Sequence, residues 1–217
     1  MAASGRPGLQ PRLVPRVLLV TSGHRLAPGV SAAARIARLE RQARDAFAAG
    51  VDAVQIREED LDGGALLELA GAIAALGRVI VTDRADVAVA AGASGVHLKS
   101  TGPEAGRVRA ILPAHMTLSR AVHSAAEAAE AGAGGALDWV LAGTAFASVS
   151  KPGRAPLGAA GLRAIVEASP VPVVAIGGVT AANARDLLAA GAAGVAGIGL
   201  FLAGIAPEHV DTLRLRY

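Results

Sequence analysis

Residues 119–124 read SRAVHS, a histidine directly after a short apolar, β-branched run. An imidazole exchanges its proton near neutral pH, so His123 is either an acid/base group at the mouth of a site or a polar residue ending a strand. AIGGVTAAN sets Gly177 and Gly178 after another apolar run, and GIGLF sets Ile198 and Gly199 after the next. Paired glycines let backbone N–H groups approach an anion, although Gly-Gly is also a common tight turn. FASVSKPGR carries Ser148, Ser150 and Lys151, whose hydroxyls and ammonium suit a phosphate or carboxylate, or else a solvated loop. VQIREED alternates Gln55, Arg57 and Glu59 on one side, with Ile56 and Glu58 on the other. Three polar groups facing one way at a buried strand end need a ligand or ion-pair partners. Lys99 and Ser100 follow GVHL, and Asp83 follows VIVT.

These residues recur at one kind of place. Short β-branched runs at 16–21, 52–57, 78–83, 94–98, 116–122, 138–143, 172–177 and 194–199 alternate with Ala-rich stretches of helical period. ARIARLERQARDAFAAG and AANARDLLAAG are two of those stretches, stopped by Gly50 and Gly191. Strands that are continuously apolar suit a parallel sheet covered on both faces. Eight of them within 217 residues predict an α/β fold, a single (β/α)8 TIM barrel, with the chemical groups on its C-terminal rim. Thr180 is expected to cap the helix after strand 7, Asp83 the helix near Asp86, and His97 is expected to be a structural, hydrogen-bonded histidine. Asp60 and Asp62 read as loop and cap residues, and His24, His115 and His209 carry little signal.

Composition narrows the function further. The chain has 53% hydrophobic but only 2% aromatic residues, so Ala, Val, Leu and Ile must fill its core. Its net charge of +3 is spread along the chain, and stacking platforms are scarce; a small anion is the expected partner, not nucleic acid. No cysteine is present, which removes disulfides and thiolate chemistry. No unbroken apolar run reaches membrane-spanning length, so no membrane association is expected. Residues 1–16, with three prolines and three arginines, read as a disordered extension without a signal-peptide core, ahead of a barrel domain at 17–217. A cytoplasmic location is the expectation. No pair of histidines or carboxylates has the spacing of a tight metal site.

VQIRE, VTDRADVAVAAGASGVHL, SRAVHS, GTAFASVSKPG and VPVVAIGGVTAANARDLLAAGAAGVAGI together resemble the thiamine phosphate synthase/TenI superfamily over about residues 17–201. The resemblance implies a phosphate seat at Gly177, Gly178, Ile198 and Gly199, with a small phosphorylated thiazole as ligand. It also implies a homo-oligomer. Synthases of this superfamily join a pyrimidine pyrophosphate to a thiazole phosphate, with Mg2+ held by two aspartates. Their lysine after strand 2 is Glu59 here, their asparagine before Asp83 is Thr82, and their Gly-Gln after strand 4 is Lys99-Ser100. Gly102 stands where the second aspartate belongs, and Ala121 where a serine does. A carboxylate at 59 is expected to repel pyrophosphate, and one lost aspartate to weaken the metal.

TenI-like thiazole tautomerases instead move a proton on carboxythiazole phosphate to give the aromatic tautomer. Their GRSVHS motif places its proton-transfer histidine on His123. The resemblance therefore implies an isomerase, with His123 as acid/base and Arg57 orienting the substrate. Gln55, Glu59, Lys99, Ser148, Ser150 and Lys151 would form the rest of the substrate site. No cofactor or metal is expected; Mg2+ at Asp83 belongs only to the alternative, a divergent synthase. A non-catalytic thiazole-phosphate binder is a third reading.

Overall fold

The structure, a computed structural model, describes residues 12–148, 153 and 155–214. Eight strands, β1 (Val17–Val20), β2 (Ala53–Ile56), β3 (Val79–Thr82), β4 (Gly95–Leu98), β5 (Thr117–Val122), β6 (Trp139–Gly143), β7 (Val173–Ile176) and β8 (Gly194–Gly197), each lie within an expected run. They pair in parallel in sequence order, and β8 returns to β1, closing the (β/α)8 barrel. Around it run α1 (Gly23–Leu26), α2 (Ala32–Ala48), α3 (Gly63–Ala74), α4 (Ala85–Ala90), α5 (Ala105–Ile111), α6 (Ala125–Ala133), α7 (Gly158–Ala168), α8 (Ala184–Ala189) and α9 (Pro207–Arg214).

The alternation of side chains along each strand builds two cores. Outward residues such as Leu19, Val54 and Val81 meet helix residues such as Leu39, Leu69 and Ile73. Inward residues Leu18, Ile80, Trp139, Leu141 and Val174 fill the barrel. Each fully buried branched side chain contributes roughly 1.5–3 kcal/mol, so stability rests on many aliphatic contacts in place of a few rings. Helices start and stop as their sequences dictate. Ser31, Asp62 and Ser124 accept N–H bonds from Ala34, Ala65 and Glu127 at the starts of α2, α3 and α6. Gly50 and Gly191 adopt positive φ just past α2 and α8.

Three expectations are corrected. The barrel's contacts begin ahead of residue 17: Leu13 and Val14 pack on its interior cluster, and Arg12 pairs with Asp138 at 2.9 Å. Thr117 Oγ1 also donates to the Leu13 carbonyl at 3.1 Å, so residues 12–16 stop the lower mouth of the barrel. Thr180 precedes α8 by a turn, and Asn183 occupies its N-cap position. The reason is a reciprocal pair in which Thr180 N–H donates to Asn183 Oδ1 (2.8 Å) and Asn183 N–H to Thr180 Oγ1 (3.3 Å). Asp83 does not cap α4; its Oδ1 accepts the backbone N–H of Lys99 at 2.9 Å, tying the end of β3 to the loop after β4.

Candidate active site

The C-terminal ends of the strands surround a cavity of about 580 Å³. Gln55, Arg57, Glu59, Lys99, His123, Ser148, Gly177, Gly178, Ile198 and Gly199 all line it. Ser150 and Lys151 lie outside the described residues. Asp83 lines a smaller neighbouring cavity of about 240 Å³, and Glu59 and Lys99 border both.

The cavity floor is a polar layer inside the barrel. Register places Gln55 beside Ile80, Thr82 beside His97, and His97 beside Ser119. Gln55 Nε2 donates to Thr82 Oγ1 at 3.1 Å, while Gln55 Oε1 is buried without a protein partner. His97 Nδ1 lies 2.9 Å from Ser119 Oγ, and its ring stacks on Trp139 with centroids 6.0 Å apart. Burial, then the nearby Arg120 and Arg57, push its pKa down to about 3, so it stays neutral. The structural role read for His97 is the one observed.

His123 is positioned from both sides of its chain. Ser124 caps α6, and Glu127 in its first turn returns a carboxylate oxygen to the His123 backbone N–H at 2.8 Å. His123 Nδ1 lies 2.6 Å from the Gly143 carbonyl oxygen at the end of β6. A carbonyl only accepts, so Nδ1 carries the hydrogen, and Nε2 holds the lone pair in the neutral ring. In that tautomer Nε2 is the nitrogen that takes a proton.

After β7, next to the end of β6, Gly177 and Gly178 have φ of 105° and 61°. A Cβ on Gly178 would lie 2.5 Å from the Ala147 carbonyl oxygen, so only glycine fits this turn. Asn183 Nδ2 holds the Gly178 carbonyl at 2.9 Å, which directs the peptide plane. After β8, a single 3-10 turn at Gly199–Phe201 follows Ile198; its leading N–H groups have no acceptor within the turn. Both chain segments border the same end of the cavity.

The Glu59–Lys99 pair changes one electrostatic expectation. Lys99 Nζ sits 2.9 Å from Glu59 Oε2 and 3.6 Å from Asp83 Oδ2. The hydrogen bond to Glu59 holds the ammonium above the usual lysine range, so it remains charged. The repulsion expected from Glu59 is therefore offset by a cation from the loop after β4, two strands along the barrel. The residues around Asp83 do not fit a divalent cation. One of its oxygens is spent on Lys99 N–H, the other faces an ammonium, and a Cβ on Gly102 would lie 3.0 Å from Oδ1. The position beside Asp83 that could carry a second carboxylate is thus occupied by glycine.

Three residues escaped the sequence reading. Arg25, on α1 after β1, lines the cavity beside Gly199. Its signal was available, because strand 1 also ends on the catalytic rim. Arg120 reaches the carbonyls of Lys99 (3.3 Å), Ser100 (3.2 Å), Gly102 (3.5 Å) and Pro103, fastening the loop after β4. Asn183 pins the loop after β7. Nothing local in the sequence marks the last two roles.

Comparison with known proteins agrees with this architecture. The family model described as thiamine monophosphate synthase matches residues 29–201. A thiamine-phosphate synthase of Methanoculleus marisnigri is 45% identical over 160 residues, covering 71% of this chain and 75% of that protein. One from Anaeromyxobacter dehalogenans is 41% identical over 172 residues, covering 77% of each. The solved thiamine phosphate pyrophosphorylase from Pyrococcus furiosus superposes with a TM-score of 0.76 at 30% identity, covering 92% of this chain and 93% of that one. With barrel, rim and sequence in agreement over most of its length, the chain belongs to the thiamine phosphate synthase/TenI superfamily.

Proposed function

We propose that this protein is the proton-transfer member of the superfamily, a thiazole tautomerase acting on carboxythiazole phosphate. The observation that carries the reading is the 2.6 Å hydrogen bond from His123 Nδ1 to Gly143 O, which leaves the basic lone pair on Nε2 of a cavity-lining ring. In the reaction a C–H bond on the thiazole breaks, and its electron pair enters the conjugated ring. The imidazolium then returns the proton to a second carbon. No electrons leave the substrate, so neither a redox cofactor nor a group donor is required, and no step calls for a metal.

The N–H groups around Gly178 and Gly199 would hold the phosphate, while Arg57 orients the ring and Ser148 meets the carboxylate. Gln55 Oε1, buried and unmatched by protein, would accept a hydrogen bond from the ligand or an ordered water. Ser150 and Lys151 keep the role in carboxylate or phosphate recognition that their residue types imply. A cytoplasmic homo-oligomer remains the expected form of the enzyme, and no helix among the described residues is long and apolar enough to cross a membrane.

The second reading is thiamine-phosphate synthesis, a transferase reaction. The thiamine-phosphate synthase relatives favour it, and Lys99 returns a cation to the wall where the synthase lysine would stand. Against it stand the donors around Asp83, which do not fit the metal that reaction uses.

One pair of assays separates the two. The purified protein is given carboxythiazole phosphate in D2O and followed by NMR for deuterium entry and aromatisation. It is separately given both phosphorylated halves with Mg2+. Tautomer formation that falls about 10²–10⁴-fold in His123→Ala, with the fold intact, is expected. Wild-type rates in His123→Ala, or efficient thiamin phosphate formation, would overturn the tautomerase reading.

A further inference from the structure

The geometry points to Arg25 as a phosphate-clamping residue that reads the phosphorylated end of the substrate from the loop after β1. Because β1 pairs with β8, that loop neighbours the turn carrying Ile198 and Gly199. Arg25 lines the cavity, and its Nη2 lies 3.6 Å from where a Cβ on Gly199 would stand, beside the turn proposed to receive the phosphate. Among the described residues its guanidinium has no acid partner, whereas Arg35, Arg84 and Lys99 are each paired with a carboxylate. An unspent, permanently charged fork of donors at an anion seat matches a phosphate in charge and in shape.

The loop is built to hold Arg25 in place. Gly23 N–H donates to both oxygens of the buried Glu58 carboxylate, at 2.9 and 3.0 Å. A Cβ at Gly23 would lie 2.6 Å from Arg35 Cδ and 2.7 Å from Glu58 Oε2, so a side chain here would displace the Arg35 and Glu58 side chains. His24, next in sequence, contacts Arg35 at 2.9 Å and Asp60 at 3.2 Å, and Arg35 in turn binds Asp60. With both preceding residues anchored to the loop after β2, Arg25 loses little backbone freedom on binding. Its part is uniform binding of the phosphate, which stays remote from the bonds that change. It therefore acts on KM and not on kcat.

This inference rests on the phosphorylated-thiazole reading, and the test keeps the two apart. Wild type, Arg25→Ala and Arg25→Lys are titrated calorimetrically with aromatic carboxythiazole phosphate and with its dephosphorylated alcohol. Wild type is expected to prefer the phosphorylated compound. Arg25→Ala should lose about 10–100-fold in affinity for that compound, with affinity for the alcohol unchanged. Arg25→Lys, a point charge without the fork, should fall between, and turnover should show raised KM at unchanged kcat. If Arg25→Ala binds the phosphorylated compound like wild type, the clamp is refuted while the phosphate seat stands. If wild type does not distinguish the two compounds, the phosphate seat itself is refuted, and the clamp with it.

Discussion

His97 makes the stability of the barrel depend on pH in a way that can be isolated. It is 3% exposed, hydrogen-bonded to Ser119 and stacked on Trp139; burial, with Arg120 and Arg57 nearby, takes its pKa from 6.5 to about 3. The folded protein therefore keeps His97 neutral while the unfolded chain protonates it below pH 6.5, so the unfolded state binds more protons and stability falls as pH falls. The full contribution is present above that pH. It is lost at about 1.36 kcal/mol per pH unit from there down towards the folded pKa. Between pH 7 and pH 5 the loss works out to about 2 kcal/mol.

Urea unfolding of wild type and His97→Gln at both pH values measures this loss. Trp139, the only tryptophan and itself in the barrel interior, is the fluorescent reporter. Glutamine can keep a hydrogen bond to Ser119 but does not titrate. Glu58, whose carboxyl pKa burial raises, acts with the opposite sign, since its protonation favours the folded state; it is common to both proteins and cancels in the comparison. The stability gap between wild type and His97→Gln should shift by about 2 kcal/mol, against wild type, on going from pH 7 to pH 5. A gap that stays constant with pH would refute the reasoning, because His97 would then titrate alike in both states.

Two further substitutions test how the site is built. Gly178→Ala puts a side chain at φ 61° and 2.5 Å from a backbone oxygen, so it should cost about 1–3 kcal/mol in unfolding free energy. It should also weaken binding of aromatic carboxythiazole phosphate; unchanged calorimetric affinity would argue against a phosphate seat at this turn. Arg120→Ala frees the carbonyls of Lys99, Ser100, Gly102 and Pro103. Faster amide hydrogen exchange over residues 99–104 and a raised KM are expected, and unchanged exchange there would show that the loop is held by other contacts.

The Glu59–Lys99 pair shows how a charge can be relocated within a site. Residue 59 alone reads as the loss of a cation from the rim, yet the ammonium of Lys99 lies against it from a neighbouring part of the barrel. Against the synthase pattern read from the sequence, the departure lies less in the cation than in the surroundings of Asp83. Gly102 there supplies no carboxylate, and the Lys99 backbone takes an oxygen that a metal would need.

Local sequence determined the eight strands, the helices between them and the rim on which polar groups gather. Those features follow from hydrophobic period, caps and glycine stops, all readable within a few residues. It also marked His123 and the Gly177–Gly178 turn as chemical positions, and His97 as structural. Only the tertiary structure decided which groups face one another. The register of adjacent strands sets the His97–Ser119 and Gln55–Thr82 contacts, and barrel closure brings the loop after β1 beside Gly199. The same long-range closure gives His123 its tautomer, through a carbonyl twenty residues away, and turns Asp83 from helix cap into loop tie. Hydrogen bonds and ion pairs depend on ångström-scale placement of groups distant in the chain, and no local periodicity encodes that placement.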